Sequence, residues 1–309
     1  MGTPRSCASR TEVRFGSSIR LPQSALQPPH RPLLFSIAYR MLGSVMDAED
    51  MVQETFLRWQ QASAVDVQSP KAYLATIITR LCINHLHSAR VRREEYVGPW
   101  LPEPLLTTQT TDPAGEARLA ESLSMAFLVL LESLSPLERA VFLLHEAFDD
   151  YAEVAHIVGK SEANCRQILR RARQSLAARR PRFAASPQQR ERLLHQFVQV
   201  SANGDLQGLL ALLAQDVTLW SDGGGKAAAA LNPISGSAKV ARFIVGALRK
   251  LVPANRSSRL AEINGQPGII SYVDHHPQSA LTLDLTEDHI QTIYIISNPD
   301  KLRGLPLAS

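Results

Sequence analysis

The stretch SEANCRQILRRARQSLAARRPR, residues 161–182, decides how this chain folds and what it contacts. It opens on a serine suited to cap a helix, and it carries seven arginines with no acidic residue after Glu162. Its apolar residues recur at the spacing of one helix face, so polar residues project from the opposite face. Such a helix is suited to lie against phosphate groups. The apolar positions are Cys165, Ile168, Leu169, Ala172 and Leu176.

A shorter amphipathic segment precedes this stretch and ends at Gly159. Its apolar residues, from Tyr151 to Val158, keep the helical spacing. Helix, tight turn and helix together predict a helix-turn-helix, whose second helix enters the major groove of DNA. The alternative is a solvated basic surface helix. The residues expected over base edges are Ser161, Asn164 and Gln167, with Arg166 and Arg170 beside them.

Composition limits the class of protein. A chain of 309 residues predicts two or three domains, each with its own core. The longest apolar run, Met125–Leu131, is far shorter than the ~20 residues that a bilayer requires. The first thirty residues lack the apolar core of a signal peptide. Three widely spaced cysteines argue against a disulfide framework and a zinc site. We therefore expect a cytoplasmic protein with no membrane segment, metal or cofactor.

Charge is clustered, although the net charge is only +4. One basic cluster contains Arg80, Arg90, Arg92 and Arg93, and the others fall within residues 1–29 and 163–182. Clustered positive charge is the electrostatic pattern expected of contact with nucleic acid.

The pattern of apolar residues, prolines and turns divides the chain into five parts. Serine and proline mark helix starts at Ser69-Pro70 and at Ser135-Pro136, where Glu138 completes a capping box. In the last part, two amphipathic helices precede β-rich segments at 217–220, 269–273, 280–285 and 290–296. Consecutive antiparallel strands with helices over one face of a curved sheet are expected there. The predicted parts are an extension (1–29), a helical domain (30–98), a linker (99–115), a helix-turn-helix domain (116–183) and an α+β domain (186–305).

Several motifs resemble those of a known family. Residues 47–56, DAEDMVQETF, resemble the polymerase-binding helix of bacterial sigma factors. Over about residues 30–305 the chain is similar to extracytoplasmic-function sigma factors with a SnoaL-like (NTF2-fold) C-terminal domain, a group often called SigJ-like. The resemblance implies two all-α sigma domains, the second a helix-turn-helix, followed by an α+β cone domain. Its most specific marks are WLPEP at 100–104, DGGGK at 222–226 and NPDKL at 298–302.

The resemblance implies partners for the helical domains. An acidic face would bind the β and β′ subunits of core RNA polymerase, although the same face also suits a solvated helix. Arg80, Asn84, Arg90, Arg92 and Arg93 would meet the downstream (minus ten) promoter element. The segment from Ser161 to Arg173, including Arg171, would recognise the upstream (minus thirty-five) element. The residues of the acidic face are Asp47, Asp50, Gln53, Glu54 and Leu57.

For the C-terminal domain the resemblance implies regulation of the sigma factor within the same chain, by contact with the linker. A tryptophan in a proline-rich linker usually anchors that linker, and the alternative is packing within its own domain. Two other hypotheses stay open: an enzyme tethered to a DNA-binding module, with Asp216, Asp222, His275, His276 or His289 as acid or base, and a pocket that binds an unidentified small ligand without turning it over. The implied contact residues are Trp100, Leu101, Pro102, Glu103, Pro104, Asp222, Gly223, Gly224, Gly225, Lys226, Asn298, Asp300 and Lys301.

Overall fold

The structure is a computed structural model, and the regions that it describes leave out several predicted features. The predicted extension 1–29, the end of the predicted linker and the predicted start of the second helical domain at Glu116 lie outside these regions. The same holds for residues 178–184, at the predicted end of that domain. The described residues are 30–61, 69–107, 122–177, 185–251, 255–286 and 288–308.

Three helices form the first helical group: α1 (Arg31–Leu42), α2 (Val45–Gln61) and α3 (Pro70–Glu94). Gly43 ends α1 with φ of 67°, a left-handed conformation that glycine adopts without steric cost. At the start of α3, the Ser69 hydroxyl oxygen accepts a hydrogen bond from the Ala72 amide at 3.2 Å. The predicted start signal at Ser69-Pro70 therefore acts as expected.

The second helical group contains α4 (Met125–Leu131), α5 (Pro136–Phe148), α6 (Tyr151–Val158) and α7 (Glu162–Ala177). The predicted capping box is present at the start of α5, where the Ser135 amide donates to Glu138 Oε2 at 3.0 Å. The turn between α6 and α7 passes through Gly159, with φ of 66°. The predicted helix-turn-helix is confirmed.

The two helical groups share one continuous apolar core, so the expectation of a separate core for each domain is wrong. Short helices offer little apolar area each, and burying the stripes of both groups together removes more of it from water. Polar contacts cross the junction as well. The Arg139 side chain, 3% exposed, donates to the Met41 carbonyl at 2.6 Å, and Arg40 pairs with Glu146 at 2.8 Å.

The C-terminal domain is an α+β layer, as predicted. Its helices are α8 (Pro187–Ala202), α9 (Leu206–Leu212) and α10 (Ser237–Leu251). Its six-stranded sheet has the order β2-β1-β6-β5-β4-β3. The strands are β1 (Leu213–Asp222), β2 (Ile234–Ser235), β3 (Arg256–Ile263), β4 (Gln266–Val273), β5 (His276–Thr286) and β6 (His289–Ile296).

Two features of this domain differ from the sequence prediction. β1 pairs with β6 in parallel, whereas every other pair in the sheet is consecutive in the chain and antiparallel. The sequence pattern did not predict α10, β2 or β3. β3 lies at the edge of the sheet and is largely exposed, so its sequence RSSRLAEI lacks the apolar alternation of a half-buried strand.

The two faces of the sheet pack against different partners. Ile269 joins the core beneath α8 and α10, while the next residue, Ile270, joins a core on the other face. That second core also contains Leu101 of the linker and Met125 of α4. Because Leu128 of α4 lies in the helical core instead, α4 and the linker are held between the C-terminal sheet and the helical groups.

Candidate DNA, polymerase and regulatory surfaces

The α7 helix presents its polar face to solvent. The predicted apolar residues, from Cys165 to Leu176, are buried against α5 and α6. The Ser161 hydroxyl oxygen accepts from the Asn164 amide at 3.3 Å, which caps the helix at the end expected over base edges. The exposed polar residues are Ser161, Asn164, Arg166, Gln167, Arg170, Arg171 and Arg173.

The exposed arginines of α7 differ in their neighbours. Arg166 pairs with Glu162 at 2.7 Å and lies over the Tyr151 ring at 4.9 Å. Arg171 interacts electrostatically with Glu138 in the first turn of α5. Hydrogen bonds from Ser135 lower the pKa of the Glu138 carboxyl, and the positive charge of Arg171 lowers it further. Arg170 and Arg173 are therefore the arginines that face outward with Arg166 along one groove.

The downstream-element candidates lie on α3. Arg80 and Asn84 are exposed and four residues apart, so they share one helix face. Arg90, Arg92 and Arg93 belong to the last turns of the same helix, and their side chains lie outside the described part. Positive charge at this end suits the helix dipole.

The acidic face of α2 is accessible but partly paired. Asp50, Gln53 and Leu57 are exposed, and Leu57 keeps 52% of its surface in solvent. Asp47 lies 3.5 Å from the His85 ring, and Glu54 pairs with Arg58 at 2.7 Å.

The buried carboxylate of Asp222, at the end of β1, binds the linker. Asp222 has no solvent exposure. It accepts hydrogen bonds from the Tyr96 hydroxyl at 2.6 Å and from the Leu101 amide at 2.8 Å, and it pairs with Lys301 Nζ at 2.7 Å. Lys301 also donates to the Leu101 carbonyl. One ion pair therefore holds both backbone polar groups of a single linker residue.

Aromatic and amide groups complete this contact. The Lys301 ammonium lies 4.1 Å from the Trp100 ring centroid and 5.0 Å from that of Tyr96. Asn298 donates to the Tyr96 hydroxyl at 2.8 Å. Burial raises the pKa of that hydroxyl, and its hydrogen bond to Asp222 raises it further, so Tyr96 stays a donor. We call Tyr96, Leu101, Asp222, Asn298 and Lys301 the linker clamp.

The glycines of the DGGGK motif allow this close approach. A Cβ on Gly224 would lie 2.2 Å from Asn298 Nδ2, and one on Gly225 would lie 3.2 Å from Val97. Gly223 is equally confined, since its Cβ would lie 2.3 Å from the Ala227 carbonyl oxygen. At the rim, Lys226 pairs with Asp300.

The same linker also fastens to the first helical group. The Glu103 carboxylate accepts from the Ser44 hydroxyl at 2.9 Å and from the Val45 amide at 2.7 Å, so it caps the start of α2. The Tyr39 hydroxyl donates to the Glu103 carbonyl at 2.7 Å. Gly43 is required here, because a Cβ would lie 2.6 Å from the Trp100 ring. Pro102 and Pro104 are buried in this segment.

Farther along, the linker meets the β3–β4 turn. Leu106 forms a β-bridge with Ile263, and the Asn264 amide donates to the Leu105 carbonyl at 2.7 Å. The Asn264 side chain, fully buried, donates to the Tyr39 hydroxyl at 2.6 Å and so joins the C-terminal domain directly to α1.

Sequence reasoning missed Tyr96 and Asn264. Tyr96 stands before Gly98-Pro99 with no motif of its own, and Asn264 stands before Gly265, a pair that is typical of a turn. Its φ of 55° fits that turn, but the partners of its side chain are far away in the chain. Tertiary contacts of this kind leave no local signal.

The candidate acids and bases do not gather into one site. Asp216, His275, His276 and His289 are exposed, and Asp222 is committed to the linker clamp. Within the described ranges, no group of three or more His, Cys, Asp or Glu residues is placed to hold a metal ion. No described helix has the length and apolar character needed to cross a membrane.

Comparison with known proteins decides the family. A family model described as Sigma-70 region 2 matches residues 29–92, and one described as Sigma-70, region 4 matches residues 124–176. The ECF RNA polymerase sigma factor SigJ of Mycobacterium tuberculosis (strain ATCC 25618 / H37Rv) is 38% identical over 290 residues, which cover 90% of this chain and 92% of SigJ. The chain belongs to the ECF RNA polymerase sigma factors.

Other relatives agree with this assignment. The crystal structure of M. tuberculosis SigJ matches this sigma factor with a TM-score of 0.72 and 35% identity, covering 90% of this chain and 97% of that one. The probable sigma factor SigI of M. tuberculosis (strain CDC 1551 / Oshkosh) is 31% identical over 289 residues, or 92% of this chain and 96% of SigI. The predicted fold class, two helical sigma domains followed by an NTF2/SnoaL-like α+β domain, is confirmed.

Membership in the sigma factor family establishes the general function of the chain. Sigma factors are transcription initiation factors that bind core RNA polymerase and promoter DNA. The helix-turn-helix belongs to region 4, and the acidic helix α2 and the basic helix α3 belong to region 2.

Proposed function

We propose that this sigma factor uses α2 to bind the β and β′ subunits of core RNA polymerase, α3 to engage the downstream promoter element and α7 to recognise the upstream element. We further propose that its C-terminal domain regulates these activities through the linker. No catalytic step is assigned to that domain. Exposure of Asp50 and Leu57 on α2, of Arg80 and Asn84 on α3, and of the polar residues of α7 supports the first part of the proposal.

The polymerase assignment depends on the exposed part of α2. Asp50 and Leu57 project to solvent, whereas Asp47 and Glu54 have partners within the chain. A pull-down with core polymerase should therefore be weakened by Asp50→Lys and by Leu57→Ala. Arg242→Gln, an exposed change on α10, should leave the pull-down unchanged. Equal recovery of all three variants would contradict the assignment.

We infer that the described arrangement of the helical groups is too compact to reach both promoter elements at once. Lys71, in the first turn of α3, donates to the Ala147 carbonyl at 3.2 Å, so region 4 packs against region 2. The α3 helix has 25 residues, or a length of about 37 Å at ~1.5 Å per residue. Elements centred about 25 base pairs apart are separated by roughly 85 Å at ~3.4 Å per base pair. Regions 2 and 4 must therefore separate when both elements are bound.

The linker contacts provide the means to prevent that separation. The observation that carries the regulatory proposal is the buried Asp222–Lys301 pair, which holds Leu101 while Glu103 caps α2. A linker fixed at both the C-terminal domain and region 2 cannot extend between the two regions. In this account the C-terminal domain maintains a closed form, and opening the linker clamp raises transcription.

Run-off transcription with core polymerase tests this regulation. Asp222→Ala and Trp100→Ala should raise transcription from a cognate promoter while the helical content stays unchanged. Asp288→Ala is the matched control, because Asp288 is an exposed carboxylate of the same domain whose described contacts are to α8. Point substitutions are preferable to truncation, since removal of the domain would expose Met125 and Leu101. Unchanged transcription in both Asp222→Ala and Trp100→Ala would contradict the proposal.

A further inference from the structure

A cavity of about 520 Å³ lies inside the C-terminal domain, between α8, α10 and the sheet. Its volume is within the range of small-molecule sites, about 300–1,000 Å³. Phe197, Phe243 and Leu248 line its helical side, and Ile269 and Leu281 line the sheet. None of the described residues that line it is acidic or a histidine. The cavity therefore offers binding surface for an apolar body and no general acid or base of the common types.

Among the described residues of the wall, one is a cation. Arg256 lines the cavity and donates to the Ser271 hydroxyl at 2.6 Å. Among the described residues no carboxylate lies within ion-pair distance of it. Burial lowers the pKa of this guanidinium, as expected for a charge that has lost water without gaining an anion.

A second polar group in the wall also lacks a partner. The Ser201 hydroxyl, on α8, is buried and makes no hydrogen bond among the described residues. Buried hydroxyl groups are normally satisfied, because leaving one unpaired costs about 1–3 kcal/mol. The cavity therefore offers a ligand two polar groups, this hydroxyl and the Arg256 guanidinium.

We propose that this cavity binds an amphipathic organic acid, with one carboxylate at Arg256 and an apolar body between the aromatic side chains of the helices and the sheet. A guanidinium offers a planar pair of donors that matches the two oxygens of a carboxylate. A single arginine among the described lining residues, with neutral serines around it, balances one negative charge. An acid with an apolar chain or ring therefore fits better than a polyphosphate or an amine.

The rim of the cavity continues into the DGGGK and NPDKL motifs. Ala227 and Ala228, which follow Lys226, line the cavity, and so does Ser297, which precedes Asn298. The Ser297 amide donates to the Asp222 carbonyl at 2.8 Å. A ligand that displaces this rim acts on the backbone of the linker clamp, a step that rests on the regulatory function proposed above.

Calorimetric titration of the full-length protein tests the site, with decanoate as probe and decanol and decylammonium as comparisons. Decanoate should bind, and Arg256→Gln should weaken it by about tenfold or more, because a hydrogen-bonded charge pair is lost. Arg256→Lys should retain part of the affinity. Arg259→Gln, an exposed change on the same strand, should have no effect, and thermal melting checks that each variant is folded.

The remaining measurements distinguish specific binding of the carboxylate from general binding of an apolar chain. Decanol should bind wild type and Arg256→Gln equally, and decylammonium should not bind. Ala247→Trp, which fills the cavity, should weaken decanoate and decanol together. An Arg256→Gln variant that binds decanoate like wild type, or a wild type that does not bind it, overturns the site.

Run-off transcription then tests the link to the clamp. Decanoate should change transcription by wild type and leave Arg256→Gln unaffected. Binding that leaves wild-type transcription unchanged would overturn the link to the clamp, while the calorimetric result would still establish the site.

Discussion

The linker clamp and the polar face of α7 both depend on charge, yet they treat it in opposite ways. Asp222 and Lys301 are buried and paired inside the chain. The α7 arginines are exposed, and Arg166 keeps 55% of its side chain in solvent although it pairs with Glu162. A charged group that is paired inside the fold stabilises a contact within the chain, whereas a charged group on the surface is available to a partner such as DNA.

The largest effect should come from breaking the buried pair. Lys301→Met keeps the apolar stem and leaves Asp222 as an unpaired buried carboxylate, which costs about 3–5 kcal/mol. Hydrogen exchange of the Leu101 amide, which donates to Asp222, should lose protection accordingly. Lys226→Met removes the exposed Asp300 pair and should cost about 1 kcal/mol or less. Similar losses of stability in Lys301→Met and Lys226→Met would contradict the difference between the buried pair and the exposed pair.

A smaller effect should follow from crowding the clamp. Gly224→Ala would place a Cβ 2.2 Å from Asn298 Nδ2, and such overpacking costs about 1–3 kcal/mol. Gly204→Ala is the matched control: its φ of 65° is close to the 57° of Gly224, and its nearest neighbour is an arginine tip at 3.8 Å. Both variants bear the strain of a left-handed alanine, about 1–2 kcal/mol. Gly224→Ala should melt lower than Gly204→Ala and expose the linker to exchange.

On the exposed face of α7, Arg170→Gln should weaken promoter binding about five- to tenfold at low salt. It should also reduce the slope of log affinity against log salt concentration by about 0.9. Arg166→Gln should have a weaker effect, because Glu162 already neutralises part of its charge. Promoter affinity measured over a range of salt concentrations tests both, with Arg242→Gln as the control. If neither arginine changed the salt slope, α7 would not contact phosphates.

The smallest effect should come from a surface cap. Ser135→Ala removes one half of the capping box and should lower the free energy of unfolding by about 1 kcal/mol at neutral pH. The capping hydrogen bonds lower the pKa of Glu138, so their contribution is present above its unfolded value of 4.5 and is lost as the pH falls through the folded value. Ser133→Ala, an exposed serine in the same loop, should change stability by less than about 0.5 kcal/mol. Chemical denaturation at pH 7 and near pH 4 would show whether the difference between the two variants shrinks.

Local features were predictable from the sequence, because their causes lie within a few residues. The helix stripe from Cys165 to Leu176, the capping box at Ser135 and the break at Gly159 all act where expected. Their signals are periodicity and capping, which a single segment carries.

Long-range contacts were not predictable from periodicity. Asp222 before three glycines resembles an ordinary turn, and only the family resemblance suggested a contact with a linker 121 residues away. Tyr96 and Asn264 carried no signal, because their partners depend on how the domains meet. The shared core of the two helical groups was missed for the same reason: each apolar stripe predicts burial without naming the partner helix.

The central claim is that regions 2 and 4 are held together in the free protein and separate at the promoter. Double electron–electron resonance between spin labels at Gln60 and His156, two exposed positions outside the proposed binding surfaces, measures this separation directly. The three native cysteines would first be replaced. We predict a short distance in the free protein, an increase of tens of ångströms in the polymerase–promoter complex, and a longer distance in free Lys301→Met than in free wild type. An unchanged distance on promoter binding would contradict the account.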